Sequence, residues 1–410
     1  MKKKSSLICS LSLLLISMTS CNSGTSNTTV PVAPVNNTVN LVVDSGVNGT
    51  AWNRSFITLT ICEPSTTNCQ TIDHIMVDSG STGLRINQSA LSLSGLTALS
   101  SAGEPIYQCM QYAAGYAFGP VMSADVKIAG ESAFNIPIQI FEYDNNPSVP
   151  ESCTNGVQPA NLITGFGANG IIGINPISNP NNDYTAGGVY TCNANTCTEV
   201  NDPNTTISQI LNINPIAAFA NDNNGAIFSL PAVNTASSES ISGTLTFGLN
   251  TQTNNQVPTT INKLLGDSST NYWPVGFFLA NTGSQNTLAM FDSGTPYYAI
   301  YTPLLALCPT PFNYLYCPTS DSYALISMLS NFTGGSSTPF ASVIANYSSL
   351  GGFAMIMPNL GGTTDPLNTQ TLYGLPAFFG NNIYLGFKGS GDIGANTPLG
   401  QGPAWGFISN

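Results

Sequence analysis

The sequence predicts an all-β chain folded as two β-barrel-like lobes with a cleft between them. Three observations predict it. From Asn40 onward, short runs rich in Val, Ile, Thr and Phe alternate with Gly, Asn and Pro, the pattern of strands and turns. The chain has 410 residues, 42% of them hydrophobic, enough for two sizeable cores. An apolar run that ends in Asp, Ser, Gly and a hydroxyl residue occurs once in each half. One organising turn per half suits two packed lobes that each contribute one carboxylate.

The first turn is Ile75-Met76-Val77-Asp78-Ser79-Gly80-Ser81-Thr82, and the second is Leu288-Ala289-Met290-Phe291-Asp292-Ser293-Gly294-Thr295. A carboxylate beside buried strand residues is costly unless hydroxyls and backbone N–H groups point at it. Ser79, Gly80 and Ser81 can supply them in one turn, and Ser293, Gly294 and Thr295 in the other. A lone Asp-Ser-Gly is a common turn former. A third copy, Leu41-Val42-Val43-Asp44-Ser45-Gly46, runs into Val47-Asn48-Gly49 with no hydroxyl directly after the glycine, and reads as a loop.

The matched turns resemble those of the pepsin-like aspartic endopeptidases, here a divergent, bacterial lipoprotein-type version, whose halves each carry an Asp-Thr/Ser-Gly-Ser/Thr turn. The resemblance implies the bilobal acid protease fold, with Asp78 and Asp292 as the catalytic pair. Ser79 and Ser293 would cross-link the two loops, and Ser81 and Thr295 would donate to the outer carboxylate oxygens. Two carboxyls at hydrogen-bond distance titrate as one unit holding one proton, the condition for activating water against a peptide carbonyl. The implied substrate is a polypeptide, cut at acidic pH beside apolar residues, with no cofactor.

Further segments follow the same family in order. Gln111 to Pro120 resembles the flap hairpin that closes over substrate, with Tyr112 in the tyrosine position and Gly115 in the second glycine position. Ala113 stands where glycine is usual, and Arg85 where the family commonly has a tryptophan that hydrogen-bonds the flap tyrosine. From the residues alone, Tyr112 reads equally as a hairpin tyrosine packed on the sheet. Gly170–Ile174 and Leu372–Phe379 resemble the hydrophobic-hydrophobic-Gly segments that thread beneath the turns, with Leu375 in place of the usual acid.

The remaining elements are read in chain order. Residues 1–21 form a lipoprotein signal: Lys2, Lys3 and Lys4, an apolar run from Leu7 to Ile16, then small residues before Cys21, the expected lipidation site. Residues 22–40 form a tether, 41–235 the first lobe and 236–410 the second. Phe56–Cys62 and Thr71–Val77 read as paired strands that deliver the chain to Asp78. Ala226–Leu230 with Gly243–Gly248 mark the lobe junction, Tyr272–Val275 a strand before the second turn, and Asn382–Phe387 a closing strand. Thr206–Leu211 and Ser322–Leu329 are the best helix candidates.

Composition excludes several functions. Only 7% of residues are charged, yet the net charge is −12, or −15 without the three leader lysines, which would repel nucleic acid. No run after the leader is long enough to span a bilayer, so any membrane contact runs through the Cys21 anchor, and a monomer is expected. Apart from Cys9 and Cys21, eight cysteines remain, an even number in an exported chain. Cys62/Cys69, Cys192/Cys197 and Cys308/Cys317 can close small loops, which leaves Cys109 with Cys153, although sequence does not fix the connectivity. The sole histidine is His74 and there is no Cys-x-x-Cys, so no metal is expected. As a triad member, His74 would sit roughly 13 Å from Asp78, four residues along one strand at about 3.3 Å each. Lys127, Lys263 and Lys388 are too scattered for an anion site. Two other classes stay open: a non-catalytic pepsin-fold binding or inhibitor protein tethered to the cell envelope, and a disulfide-stapled adhesin, which leaves the matched turns unexplained.

Overall fold

The computed structural model describes residues 36–112, 115–142, 147–176, 186–194, 196–200, 213–266, 278–282, 286–350, 354–364, 370–387, 399 and 403–410. The leader with Cys21, the helix expected at Thr206–Leu211 and the strand expected at Tyr272–Val275 lie outside these residues.

The described residues are almost entirely β and form two sheets, of seventeen and seven strands. The larger runs from Thr38 through the first half, and it also takes Gly225–Ser229, Ile241–Phe247, Asn262–Leu265, Asn381–Gly386 and Ala404–Ser409. The smaller is built between Phe278 and Tyr373. The fold is the bilobal one of pepsin-like proteinases. Among the described residues, no helix is long and apolar enough to cross a membrane.

The same local arrangement carries each Asp turn. Ser55–Cys62 pairs antiparallel with Cys69–Asp78, the pairing expected of Phe56–Cys62 and Thr71–Val77. Gly170–Ile174 then lies between the strand entering the first turn and the strand leaving it. It pairs parallel with Cys69–Asp78, Gly173 opposite Asp78, and antiparallel with Thr82–Asn87, Gly173 opposite Gly83. In the smaller sheet, Gln370–Tyr373 runs parallel to Asn286–Phe291, Tyr373 opposite Phe291, and antiparallel to Tyr298–Ala299. Glycines make this threading possible. A Cβ on Gly173 would stand 2.6 Å from the backbone of Ser81 and Thr82, and one on Gly374 would collide with the carbonyls of Thr295 and Tyr297.

Four disulfides join Cys62–Cys69, Cys109–Cys153, Cys192–Cys197 and Cys308–Cys317. Asp44-Ser45-Gly46 is a loop, as expected: Gly46 takes a φ of +68° and donates to Asp44 Oδ1 at 2.8 Å. The other Asp44 oxygen faces His74 Nε2 at 3.2 Å, with Asp73 3.2 Å from Nδ1. The histidine is thereby held among acids near the strand surface.

One expectation is wrong. Ser322–Leu329 is not a helix but most of the strand Ser322–Ser330, paired with Ser337–Ala345. Leu325, Ser327 and Leu329 are buried, while Ala324, Ile326 and Met328 face outward, a period of two. The run is apolar on both phases, so its local pattern suits either structure. Nine cross-strand pairs override the helix propensity of Ala, Leu and Met.

Because Gly173 has backbone on the side where a Cβ would point, Gly173→Ala is expected to destabilise the protein by at least about 1–3 kcal/mol. Denaturant unfolding of the two proteins checks this.

Candidate active site

Each aspartate ends a buried strand, so it leaves water with the chain. Ile75, Val77, Ala289 and Phe291 are fully buried, and Asp78 and Asp292 are 6% and 3% exposed. The turn residues answer the cost of that burial. Asp78 Oδ1 accepts from the Gly80 N–H at 2.8 Å and Oδ2 from the Ser81 hydroxyl at 2.5 Å. Asp292 Oδ1 accepts from the Gly294 N–H at 2.9 Å and Oδ2 from the Thr295 hydroxyl at 2.6 Å. The outer hydroxyls donate as the sequence led one to expect.

The two turns are bound to each other by their serines. The Ser79 N–H donates to Ser293 Oγ at 3.0 Å, and the Ser293 N–H to Ser79 Oγ at 2.9 Å. Each hydroxyl in turn donates a hydrogen bond to the carbonyl before the opposite aspartate: Ser79 to Phe291 and Ser293 to Val77, both at 2.8 Å. These bonds draw the carboxyls together across the seam. A Cβ on Gly80 would overlap Asp292 Oδ1, and one on Gly294 would overlap Asp78 Oδ1. Glycine is required at both positions because each inner carboxyl oxygen lies against the opposite turn.

The result is a coupled pair of acids. Burial pushes the Asp78 carboxyl up to about 7, and the charge of Asp292 adds to the rise. The Ser81 and Gly80 hydrogen bonds oppose it, and a hydrogen bond with the Asp292 side chain raises it further. Two buried carboxyls in this contact cannot both ionise cheaply, so one proton stays in the pair up to neutral pH.

Tyr112 and Gly115 face each other at the tip of the hairpin formed by Glu104–Tyr112 and Gly115–Ile128. Gly115 has a φ of +133°, and a Cβ there would strike the Gln158 carbonyl. Tyr112 meets the edge of Phe166, ring centroids 6.3 Å apart. Arg85 is 1% exposed, donates through Nη1 to the carbonyls of Thr82 and Gly83 at 2.7 and 3.4 Å, and lies 6.0 Å from the centre of the Tyr112 ring. The residue in the tryptophan position therefore reaches the hairpin tyrosine, by a cation–π contact. Ala113 and Cys21 lie outside the described residues.

Sequence reading missed Arg54. It is half-buried, its Nη1 donates to the Gly294 carbonyl, and its guanidinium lies 5.0 Å from the centre of the Phe166 ring. Burial lowers its pKa to about 10, against Asp292, Asp78 and Tyr297, which favour the cation. It carries its charge throughout the acid and neutral range. The only signal was scarcity: the chain has two arginines, Arg54 and Arg85, and both belong to this site.

A family model described as "Protein of unknown function (DUF3443)" matches residues 33–407. No curated protein matches the chain. Among solved structures, an aspartic proteinase from Irpex lacteus is similar in fold. The match has a TM-score of 0.50 and 15% sequence identity, and covers 91% of this chain and 97% of that one.

The Asp78 pKa gives a stability prediction with a definite sign. The folded carboxyl titrates at about 7 against an ordinary 3.8, so the native state keeps a proton that the unfolded chain releases. This contribution is complete below about pH 4 and is lost as pH rises to about 7, lowering stability by a few kcal/mol. Denaturant midpoints measured across that interval are expected to fall with rising pH, and Asp78→Asn is expected to flatten the curve.

Proposed function

We propose that this chain, which belongs to the family described as "Protein of unknown function (DUF3443)", is an aspartic endopeptidase that hydrolyses peptide bonds through the Asp78–Asp292 pair. The observation that carries the reading is the pair itself: two buried carboxyls, each fully hydrogen-bonded within its own turn, tied together by reciprocal serine bonds and sharing a proton. The likeness in fold to an aspartic proteinase supports it.

The chemistry needs one acid and one base at a single water. The ionised carboxylate takes a proton from water as the oxygen attacks the scissile carbonyl carbon. The protonated carboxyl gives its proton to the carbonyl oxygen, which yields a neutral tetrahedral diol. As the diol collapses, the C–N bond breaks and the proton taken from water passes to the leaving nitrogen. One diol hydroxyl returns its proton to the other carboxylate as the carbonyl re-forms. The pair ends as it began, with one proton. Ser81, Thr295 and the two glycine N–H groups hold the carboxyl planes for this exchange. Tyr112 and Gly115 lie on the hairpin that would cover the substrate. The substrate is an unfolded polypeptide with apolar residues beside the cut. The protein acts as a monomer held at the cell envelope by lipid on Cys21.

Activity on a denatured protein, assayed without reductant so that the four disulfides persist, is expected at acidic pH and is expected to fall as pH rises through about 7, where the pair loses its proton. Asp78→Asn and Asp292→Asn are each expected to lower turnover at least roughly a thousand-fold, nearly as much as the double change, because the two act as one unit. Wild-type protein with no cleavage beyond that of Asp78→Asn would favour a binding protein instead. Cys21→Ala is expected to move the protein from the membrane fraction to the soluble one; unchanged partitioning would remove the anchor.

A further inference from the structure

The two turns are alike in the bonds they make to their own aspartates and differ in what holds their rims. The Gly80 carbonyl accepts from Asn175 Nδ2 at 3.3 Å, and Asn175 is a neutral, buried amide. The matching Gly294 carbonyl accepts from the Arg54 guanidinium, which the face of Phe166 holds in place. A dipole on one side and a full positive charge on the other cannot act equally on two carboxyls that otherwise see equivalent donors. We propose that Arg54 breaks the near-symmetry of the pair, drawing its negative charge to Asp292 and leaving the shared proton on Asp78.

The electrostatics agree with this arrangement. The groups facing the guanidinium are Asp292, Asp78 and Tyr297, and Asp292 supports its charge more than Asp78 does. Coulombic attraction is reciprocal, so Arg54 favours a charge on Asp292 more than on Asp78. Asp78 is the carboxyl held up by burial and by its neighbour's charge. Arg85 meets Tyr112, which meets Phe166, so the second cation of the site stands two rings away from Arg54. With one proton on the pair, the charge of Arg54 is matched by that of Asp292. The consequence for chemistry rests on the peptidase reading: Asp292 is the base that takes the proton of water, and Asp78 is the acid that protonates the carbonyl oxygen. The location of the proton does not depend on that reading. Arg54 is a positioning residue here, acting on the substrate only through the pair.

The test is a carboxyl-carbon NMR titration of the protein labelled with 13C at aspartate Cγ, with Asp78→Asn and Asp292→Asn used to assign the signals. In the wild type, the Asp78 carbon is expected to take the larger share of the upper step, near 7. In Arg54→Gln that step is expected to move up by about one pH unit or more, the scale for losing a nearby opposite charge. Arg54→Lys keeps the charge and is expected to move it less. An upper step carried mainly by Asp292 in the wild type overturns the proposal, as does an Arg54→Gln protein that titrates like the wild type. Should Arg54→Gln fail to fold, the wild-type assignment decides alone. Cleavage assays on the same samples separate the two ideas. An inactive protein whose Asp78 carries the upper step sinks the peptidase and keeps this assignment, and an active one whose Asp292 carries it does the reverse.

Discussion

The structure depends on the reciprocal bonds between Ser79 and Ser293. Each hydroxyl accepts from the other serine's N–H and donates to the carbonyl before the other aspartate, so neither turn is satisfied without its partner. Both serines are fully buried, out of reach of bulk solvent. A single hydrogen bond contributes only about 0.5–1.5 kcal/mol net, but a buried group left unpaired costs about 1–3 kcal/mol. That asymmetry makes the lattice all-or-none. It has to be, because it holds two buried acids against their mutual repulsion, and the Asp78 carboxyl is raised first by that burial and then by the charge of Asp292.

The glycine-bounded strands explain how such a lattice is positioned. Gly170–Ile174 and Gln370–Tyr373 each fill the space beneath a turn, pairing with the strand that enters it and the strand that leaves it. The turn thus sits on continuous sheet rather than on a loose loop. Residues without side chains at Gly173 and Gly374 let backbone pass under backbone. Large side chains then close the surroundings: Phe291 packs against Phe340, Tyr373, Phe378 and Phe407 behind the second aspartate. Burial and rigidity have the same source here, and burial is what lifts the carboxyl.

Both arginines of this chain, in which only 7% of residues are charged, are used at the site. Arg85 buries its guanidinium against the carbonyls of Thr82 and Gly83 and meets Tyr112 from there. Arg54 links Phe166 to the Gly294 carbonyl. Phe166 and Tyr112 meet edge to face, so two touching rings with a cation at each end run from Arg85 to the second turn. An arginine suits both ends because its flat cation can stack and donate at once.

Much of this was legible in the sequence. Matched Asp-Ser-Gly-hydroxyl turns pointed to the outer donors because those bonds are local, each spanning two or three residues. The serine cross-link joins residues 214 apart and was expected only through the family resemblance that the two turns carry. Runs of Ile, Thr, Phe and Val gave the strands around Asp78, and close spacing in sequence suggested the short disulfide loops without fixing them. The helix expected at Ser322–Leu329 went wrong because a run apolar on both phases has no local preference strong enough to resist its partner strand. Arg54 was invisible for a related reason. It lies 240 residues from Gly294, and nothing in Trp52-Asn53-Arg54-Ser55 announces a carbonyl, a ring and two carboxyls waiting across the seam. The sequence by itself determined which carboxyl and hydroxyl groups the two turns carry. The tertiary structure decided their charges, because pKa values depend on burial and on neighbours that only folding brings within range.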